Sequence, residues 1–414
     1  MLSRKSQDDH SLLCLDIGTA SVKACVFQDR DEHLELKGFS RVQQQHGNLQ
    51  GGAIVNISQT ITNVQQVAKK AENMVKHAPR DMVVGLSGEF VRGTTLTLQY
   101  LRGKPDTIIT AQEFKTILHE LQWQAFDTIR RQISDEMSLS EIELKLLNAS
   151  VVAIRLDGEA VTDPRGSQGT KVEMEIFNCF APLDQFGQIQ NIAVELPYHE
   201  LKGVFTQSFA ICHSLALRNA LASALVLDIG AGVTDLCLIV DGKIVGNRSF
   251  AMGGNSLTKR IAYTLSTSFE EAESLKLSYS KDELEKKSHN IIQDALQSDL
   301  DIWISSLEFS LKELPIKKMP NTILLCGRAS VMREFTNVLQ EHDWEHHFPL
   351  NGEVEVRALE YSDILTGDFE TEDLDQEYLP VVALANASYD LLYNNTSVES
   401  ILNTIISDKG LGES

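Results

Sequence analysis

Two short segments of the chain carry residues able to hold a phosphate group. Asp16-Ile17-Gly18-Thr19-Ala20 and Asp228-Ile229-Gly230-Ala231-Gly232 each sit between apolar, β-rich runs. A phosphate-binding turn needs free backbone amides, a glycine that lets the chain approach the anion, and a carboxylate able to hold Mg²⁺ through its waters. In the first segment Gly18, Thr19 and Ala20 offer amides and a hydroxyl, Asp16 can face the metal, and Lys23 on the returning strand is a phosphate partner. In the second, Gly230, Ala231 and Gly232 offer amides and Asp228 the second carboxylate. A lone Asp-Ile-Gly is an ordinary β-turn, because Asp and Gly both favour turns. The second copy changes that reading: Leu13 to Val26 aligns with Leu225 to Leu238 through strand, turn and returning strand. The chain reads as two halves on one plan, with equivalent turns facing across a cleft.

The elements that must position these turns follow from the hydrophobic pattern. Ser11 to Val26 reads as a hairpin and Leu34 to Val42 as a third strand. Ile57 to Lys76 carries apolar residues at helical spacing, and Met82 to Leu86 reads as a buried strand. Thr110-Ala-Gln-Glu113 is a capping box opening a helix to about Ser134. Ala149 to Leu156 and Lys171 to Phe180 are β-rich around the turn Asp163 to Gly169, so 82–181 reads as a compact inserted unit. Helical character returns at Pro182 to Val194 and at Phe209 to Ala222, before the strand Ala224 to Asp228. Further helices are expected at Asn255 to Ser266 and from about Lys281 to Leu314, the latter opened by Ser280-Lys-Asp-Glu283. Asn321 to Cys326 is a short strand, Glu353 to Glu377 an acidic solvated loop, and Val381 to Tyr393 a helix.

Composition bounds the partners. The 414 residues are 43% hydrophobic, enough for two or three domain-sized units. A net charge of −21 repels phosphate backbones and anionic lipid over the surface as a whole, which argues against nucleic acid. No apolar stretch approaches the roughly 20 residues that span a bilayer, and Leu12 to Leu15 is too short for a secretory core. The expected location is cytoplasmic. Six dispersed cysteines lack a C-x-x-C and read as reduced core residues.

With these residues on the page, a resemblance can be stated. The two hairpins resemble the phosphate-one and phosphate-two motifs of actin, sugar kinases and heat-shock chaperone ATPases. Met252-Gly253-Gly254-Asn-Ser-Leu-Thr-Lys-Arg-Ile resembles the Gly-Gly turn and helix that follow the second hairpin in the bacterial branch. Ala272-Glu273-Ser-Leu-Lys276 resembles the helix whose Glu and Lys meet ribose and adenine. Leu324-Leu-Cys-Gly327-Arg328-Ala-Ser resembles the adenosine motif, with Arg328 where a second glycine is usual; a side chain there either stacks on the base or crowds the pocket. The resemblance implies an α/β fold of duplicated actin-like ATPase (ribonuclease H-like) lobes with an inserted α+β subdomain, binding ATP and Mg, the metal held through water by Asp16 and Asp228. No general base is identified; the family places polar catalytic help near Gln207 to His213, and weak or absent turnover is expected of a nucleotide-binding scaffold.

Within the bacterial branch the chain resembles the FtsA family of actin-like cell-division proteins from about Ser11 to Tyr393. Val83 to Gly88, Ile109 to Glu113 and Asp157 to Gly169 resemble pieces of that family's own subdomain. The implied organisation is a first lobe of 1–81 and 182–223, the inserted subdomain 82–181, a second lobe 224–380 with an outer helical subdomain 253–320, a C-terminal helix 381–396 returning to the first lobe, and a tail 397–414. The implied function is an ATP-binding scaffold that polymerises and links a tubulin-like division GTPase of the FtsZ type to the inner membrane during septum formation. The family's basic amphipathic terminal helix is not matched. Val398, Ile401, Leu402, Ile405 and Ile406 form an apolar stripe, but Glu399, Asp408 and Glu413 outweigh Lys409. The stripe is a membrane foot, a helix docked on its own protein or a partner, or a frayed end. That departure keeps a pilus-assembly adaptor of the PilM type as an alternative, with a small-molecule kinase behind it. His342-Asp-Trp-Glu-His346 has the i, i+4 spacing of a zinc-binding helix, but with Asp343 in place of the Glu base and Pro349 ending the segment it is read as structural.

Overall fold

The computed structural model describes residues 11–30, 33–137, 143–218, 221–350, 352–365, 374–393 and 397–407. Three sheets organise it. The first has the order β11-β6-β1-β2-β3, from Glu200–Thr206 (β11), Asp81–Leu86 (β6), Ser11–Ile17 (β1), Ser21–Arg30 (β2) and His33–Gln43 (β3). A two-stranded ribbon, Leu49–Gln50 (β4) and Ala53–Ile54 (β5), follows it. The second has the order β7-β10-β8-β9, from Arg92–Leu101 (β7), Lys171–Pro182 (β10), Leu144–Leu156 (β8) and Glu159–Ala160 (β9). The third repeats the plan of the first as β14-β13-β12-β15-β16, from Lys243–Phe250 (β14), Thr234–Val240 (β13), Ala224–Ile229 (β12), Thr322–Cys326 (β15) and Glu355–Ala358 (β16). In each of the two outer sheets the central strand pairs antiparallel with its hairpin partner on one side and parallel with a later strand on the other.

The helices, in chain order, are Ile57–Glu72 (α1), Ala111–Met137 (α2), Leu183–Val194 (α3), Gln207–Leu217 (α4), Gly254–Leu265 (α5), Phe269–Ser280 (α6), Lys286–Lys312 (α7), Arg333–Glu341 (α8), Trp344–His347 (α9), Tyr361–Ile364 (α10), Leu379–Tyr393 (α11) and Val398–Ser407 (α12). Successive strand residues point to opposite faces, and β12 uses both. Ala224 and Val226 join the core of the first sheet, which also contains α4 and α11, while Leu225, Leu227 and Ile229 pack with α5, α7 and Trp303. The shared helices α4 and α11 therefore carry apolar residues nearly all round, as a helix buried between layers must.

Several expectations change. Met82 to Leu86, read as the start of the inserted unit, runs parallel beside β1 in the first sheet, and the separate sheet begins at β7. Strand β11 was missed, because its Glu200, Lys202 and Gly203 interrupt the apolar pattern at a sheet edge. The capping signal at Ser280 goes unused: Ser280 ends α6, the working box is Ser268 with Glu271, and α7 begins only at Lys286. At the start of α2, Thr110 Oγ1 accepts from the Glu113 N–H, but the Glu113 carboxylate turns to Arg102 instead, at 2.8 and 2.9 Å. The acidic run 353–377 is not a solvated loop throughout. It supplies β16 and α10, and its Tyr361, Ile364, Leu365 and Leu374 are core residues. The apolar stripe near the C-terminus docks on the chain itself. Leu402, Ile405 and Ile406 are buried with Phe114 and Leu146, and Asn403 bonds both the N–H and the C=O of Ala149 at 3.0 and 2.7 Å. Lys409, Asp408 and Glu413 lie outside the described residues.

Candidate functional site

The two hairpins are built alike to the atom. Gly18 N–H donates to Ser21 O at 3.1 Å, and Gly230 N–H donates to Val233 O at 2.9 Å. These two amides close the turns, which leaves the tips at Thr19-Ala20 and Ala231-Gly232 to face an anion. The tips approach one another: a Cβ at Gly232 would stand 2.9 Å from Thr19 Oγ1. The space between them is lined by Asp16, Gly18, Thr19, Ala20, Lys23, Asp228, Gly230, Ala231, Gly232, Gly327 and Arg328. A second pocket continues from Ala20, Ala231, Gly327 and Arg328 to Gly254, Glu273 and Lys276. The structure thus brings every sequence-predicted residue except Gly253 to the walls of one continuous cleft. Gly253 acts behind the wall. A Cβ there would meet Gly230 O at 2.4 Å, and the following amides of Gly254 and Asn255 bond Gly230 O and Ala231 O, tying the start of α5 to the second hairpin.

The cleft floor is short of positive charge. Lys23 Nζ bonds Asp16 Oδ2 at 2.9 Å, both side chains nearly buried. Burial disfavours the ammonium, but Asp16 more than offsets this and holds Lys23 charged. Asp228 and Asp235 have no such partner. Burial, then repulsion from Asp235 and Asp16, pushes the Asp228 carboxyl up to about 7. Burial likewise pushes Asp235 up to about 6, against hydrogen bonds from Ser249 and Ser87. Three carboxylates thus share one lysine. Among the described residues these aspartates do not form a set of ligand atoms mutually within 4.8 Å. The arrangement therefore fits a hydrated divalent cation held through its waters, as Mg²⁺ prefers, and not a direct cage.

Two residues of the site were not among those picked from sequence. Asp235 lay inside the aligned repeat, and its register opposite Asp228, matching Lys23 opposite Asp16, was the available signal. Glu377, assigned to the solvated loop, lines both cavities. Its carboxylate takes Arg41 Nη1 at 2.6 Å from the first lobe and lies 3.5 Å from Arg328 Nε of the second. Arg328 is thereby drawn to the cleft mouth as well as lining the wall. Gln207, at the first position of α4, is 1% exposed, lines the cleft, and leaves both amide atoms without a partner. Buried amides are normally satisfied, so this side chain has hydrogen-bonding capacity available to a molecule in the cleft. His213, six residues on, is instead paired to Asp390 at 2.9 Å.

At the far end Lys276 Nζ uses all three of its protons, on Gly254 O, Thr258 Oγ1 and Glu273 Oε2, at 3.1, 2.7 and 2.7 Å. Burial lowers its pKa despite Glu273. Gly327 has φ +85° and would place a Cβ 2.1 Å from Asp228 Oδ1, so only glycine fits.

Duplicated five-stranded sheets, paired hairpins and a shared helical layer define an actin-like ATPase fold. The PilM–PilN type IV pilus biogenesis complex has a chain of this fold, with a TM-score of 0.63 at 19% identity over 91% of this chain and 98% of that one. The MamK double helical filament gives 0.51 at 12% identity, over 93% and 100%. Within that fold, part of the chain is similar to cell division protein FtsA. The family model for cell division protein FtsA matches residues 225–363. Cell division protein FtsA of Bacillus subtilis (strain 168) is 24% identical over 357 residues, 79% of this chain and 75% of that protein. The FtsA protein of Enterococcus faecalis (strain ATCC 700802 / V583) is 23% identical over 79% and 75%.

Proposed function

We propose that the chain is a nucleotide-binding scaffold of bacterial cell division that self-associates and connects a tubulin-like division GTPase to the membrane. The observation that carries the reading is the cleft: two equivalent hairpins, one from each lobe, with three buried carboxylates and one lysine on its floor. Mg-ATP fits that donor set, its phosphates between the hairpin tips and its nucleoside toward Gly254, Glu273 and Gly327. The bound metal would neutralise the carboxylates and phosphates together. Asp16 holds Lys23 charged and in place, Asp228 and Asp235 orient water around the cation, and the unpartnered Gln207 amide is placed to orient a water at the phosphate end. Binding to both tips at once favours the closed lobe arrangement, and a closed arrangement presents the surfaces by which protomers meet.

Several relatives are named as cell division proteins, which supports division over the pilus reading; the pilus chain is 19% identical and supports only the fold. The apolar stripe of α12 is packed into the chain's own core, so that stripe is not the proposed membrane link. No described helix is long and apolar enough to cross a membrane. The test is fluorescence anisotropy of a labelled C-terminal peptide of the division GTPase from the same organism, with Mg-ATP present. Saturable micromolar binding supports the reading. Absence of binding in a sample that binds nucleotide points to a pilus-type adaptor or a divergent scaffold.

A further inference from the structure

Glu308, His342 and His347 converge on one point outside the nucleotide cleft, and we propose that they bind a zinc-class divalent metal ion. Glu308 lies near the C-terminal end of α7, His342 precedes the single turn α9, and His347 is the last residue of that turn. His342 Nε2 is 3.2 Å from Glu308 Oε1, and His347 Nδ1 is 3.2 Å from Glu308 Oε2. One ligand atom from each residue lies within 4.8 Å of the other two. Ligands about 2.0–2.1 Å from a tetrahedral ion stand roughly 3.3 Å apart, and each imidazole nitrogen lies 3.2 Å from one of the two Glu308 oxygens.

The hydrogen-bonding pattern favours an ion over a plain ion-pair network. His342 Nε2 is buried and has no hydrogen-bond partner, although a carboxylate oxygen is only 3.2 Å away. A buried imidazole nitrogen without a hydrogen bond is uncommon, and a metal ion is one partner that would satisfy it. The ring is held by packing, edge-on to Trp344 at 4.5 Å and stacked on His347 at 5.2 Å between centroids. Trp344 is itself fixed by its Nε1–H, which donates to Leu339 O at 2.8 Å. Lys312 Nζ, 3.7 Å from Glu308, belongs to an exposed side chain free to swing away. Two imidazoles and one carboxylate suit Zn²⁺ or Co²⁺, whereas Mg²⁺ prefers oxygen ligands.

The pair is not the one the His342-x-x-x-His346 spacing suggests. Asp343 caps α9, its Oδ1 accepting from the His346 N–H at 3.3 Å, so His342 precedes the helix and cannot share a face with His346. Such an ion would tie the end of α7 to the segment between β15 and β16, clasping the outer helices to the third sheet.

The full-length chain, stripped with a chelator, should take up one equivalent of Co²⁺ in the presence of excess Mg²⁺, with the absorption bands of low-coordinate cobalt, and Zn²⁺ should displace it. Removing an outer partner of a metal ligand already weakens binding about 10–100-fold; His342→Ala, His347→Ala and Glu308→Gln should each weaken it by at least that much, and His346→Ala should not. Far-UV circular dichroism and retained Mg-nucleotide binding confirm that each variant folds. Stoichiometric binding lost in the three ligand variants alone supports the site. No stoichiometric uptake, uptake unchanged in all three, or equal loss in His346→Ala would overturn it.

Discussion

Asp235 is the cross-strand partner of Asp228 in the second hairpin, at the register position where the first hairpin places Lys23 opposite Asp16. One half of the duplication therefore pairs opposite charges and the other pairs like charges, both buried. In the ligand-free protein this is a stored electrostatic cost, relieved when a cation arrives.

The pH dependence follows from that cost. Asp228 and Asp235 have folded-state pKa values raised to about 7 and about 6. A raised folded pKa contributes stability that is present below the unfolded value near 4 and lost as pH rises through the folded one. The ligand-free protein should thus lose stability between about pH 4 and pH 7 on account of these two groups. Mg-nucleotide affinity should run the other way, rising over about pH 6 to 7 as protons leave. Calorimetric titration at a series of pH values checks both directions.

Asp235→Asn separates the two effects. It should raise the melting temperature of the nucleotide-free chain near neutral pH, by on the order of 1 kcal/mol of relieved repulsion, while diminishing the further rise given by Mg-ATP. A fall in the ligand-free melting temperature would contradict the charge assignment.

Glu377 places a carboxylate at the mouth of the cleft proposed to hold a polyanion. Glu377→Gln should tighten nucleotide binding by about three- to tenfold, since the group is partly solvated and its repulsion screened. The gain should shrink as ionic strength rises. Affinity measured at low and high salt tests this.

The docked α12 should behave as core. Leu402→Ala is expected to destabilise the chain by about 2–4 kcal/mol. Asn403→Ala, which leaves both backbone groups of Ala149 unpaired, should cost about 1–3 kcal/mol. Chemical denaturation, with hydrogen exchange on β8 as a local readout, measures each. Wild-type stability in Leu402→Ala would mean that the stripe is available to a membrane after all.

What the sequence made legible was whatever repeats or alternates. The hairpins were readable because strand, turn and glycine recur together at Asp16 and Asp228, and the two outer sheets follow from that duplication. The missed parts depend on partners distant in the chain. Glu377 sits in an acidic run whose charge suggests solvent, yet Arg41, more than 300 residues away, draws it to the cleft. Strand β11 alternates poorly because it lies on an edge. The Ser280 signal fits capping chemistry, but Asp282 adopts φ +56° and the chain turns before α7 begins. The charge pattern of the tail left three fates open, and the choice was made by Asn403, which finds its partners on β8.

The account rests on the cleft binding Mg-nucleotide through the second hairpin. Thermal unfolding of Asp228→Ala, with and without Mg-ATP, tests this most directly. The variant should fold and melt at or above the wild-type temperature when ligand-free, because a buried carboxylate has been removed, and should gain no Mg-dependent protection from nucleotide. Protection equal to that of the wild-type chain would contradict the role given to Asp228 and the function built on it.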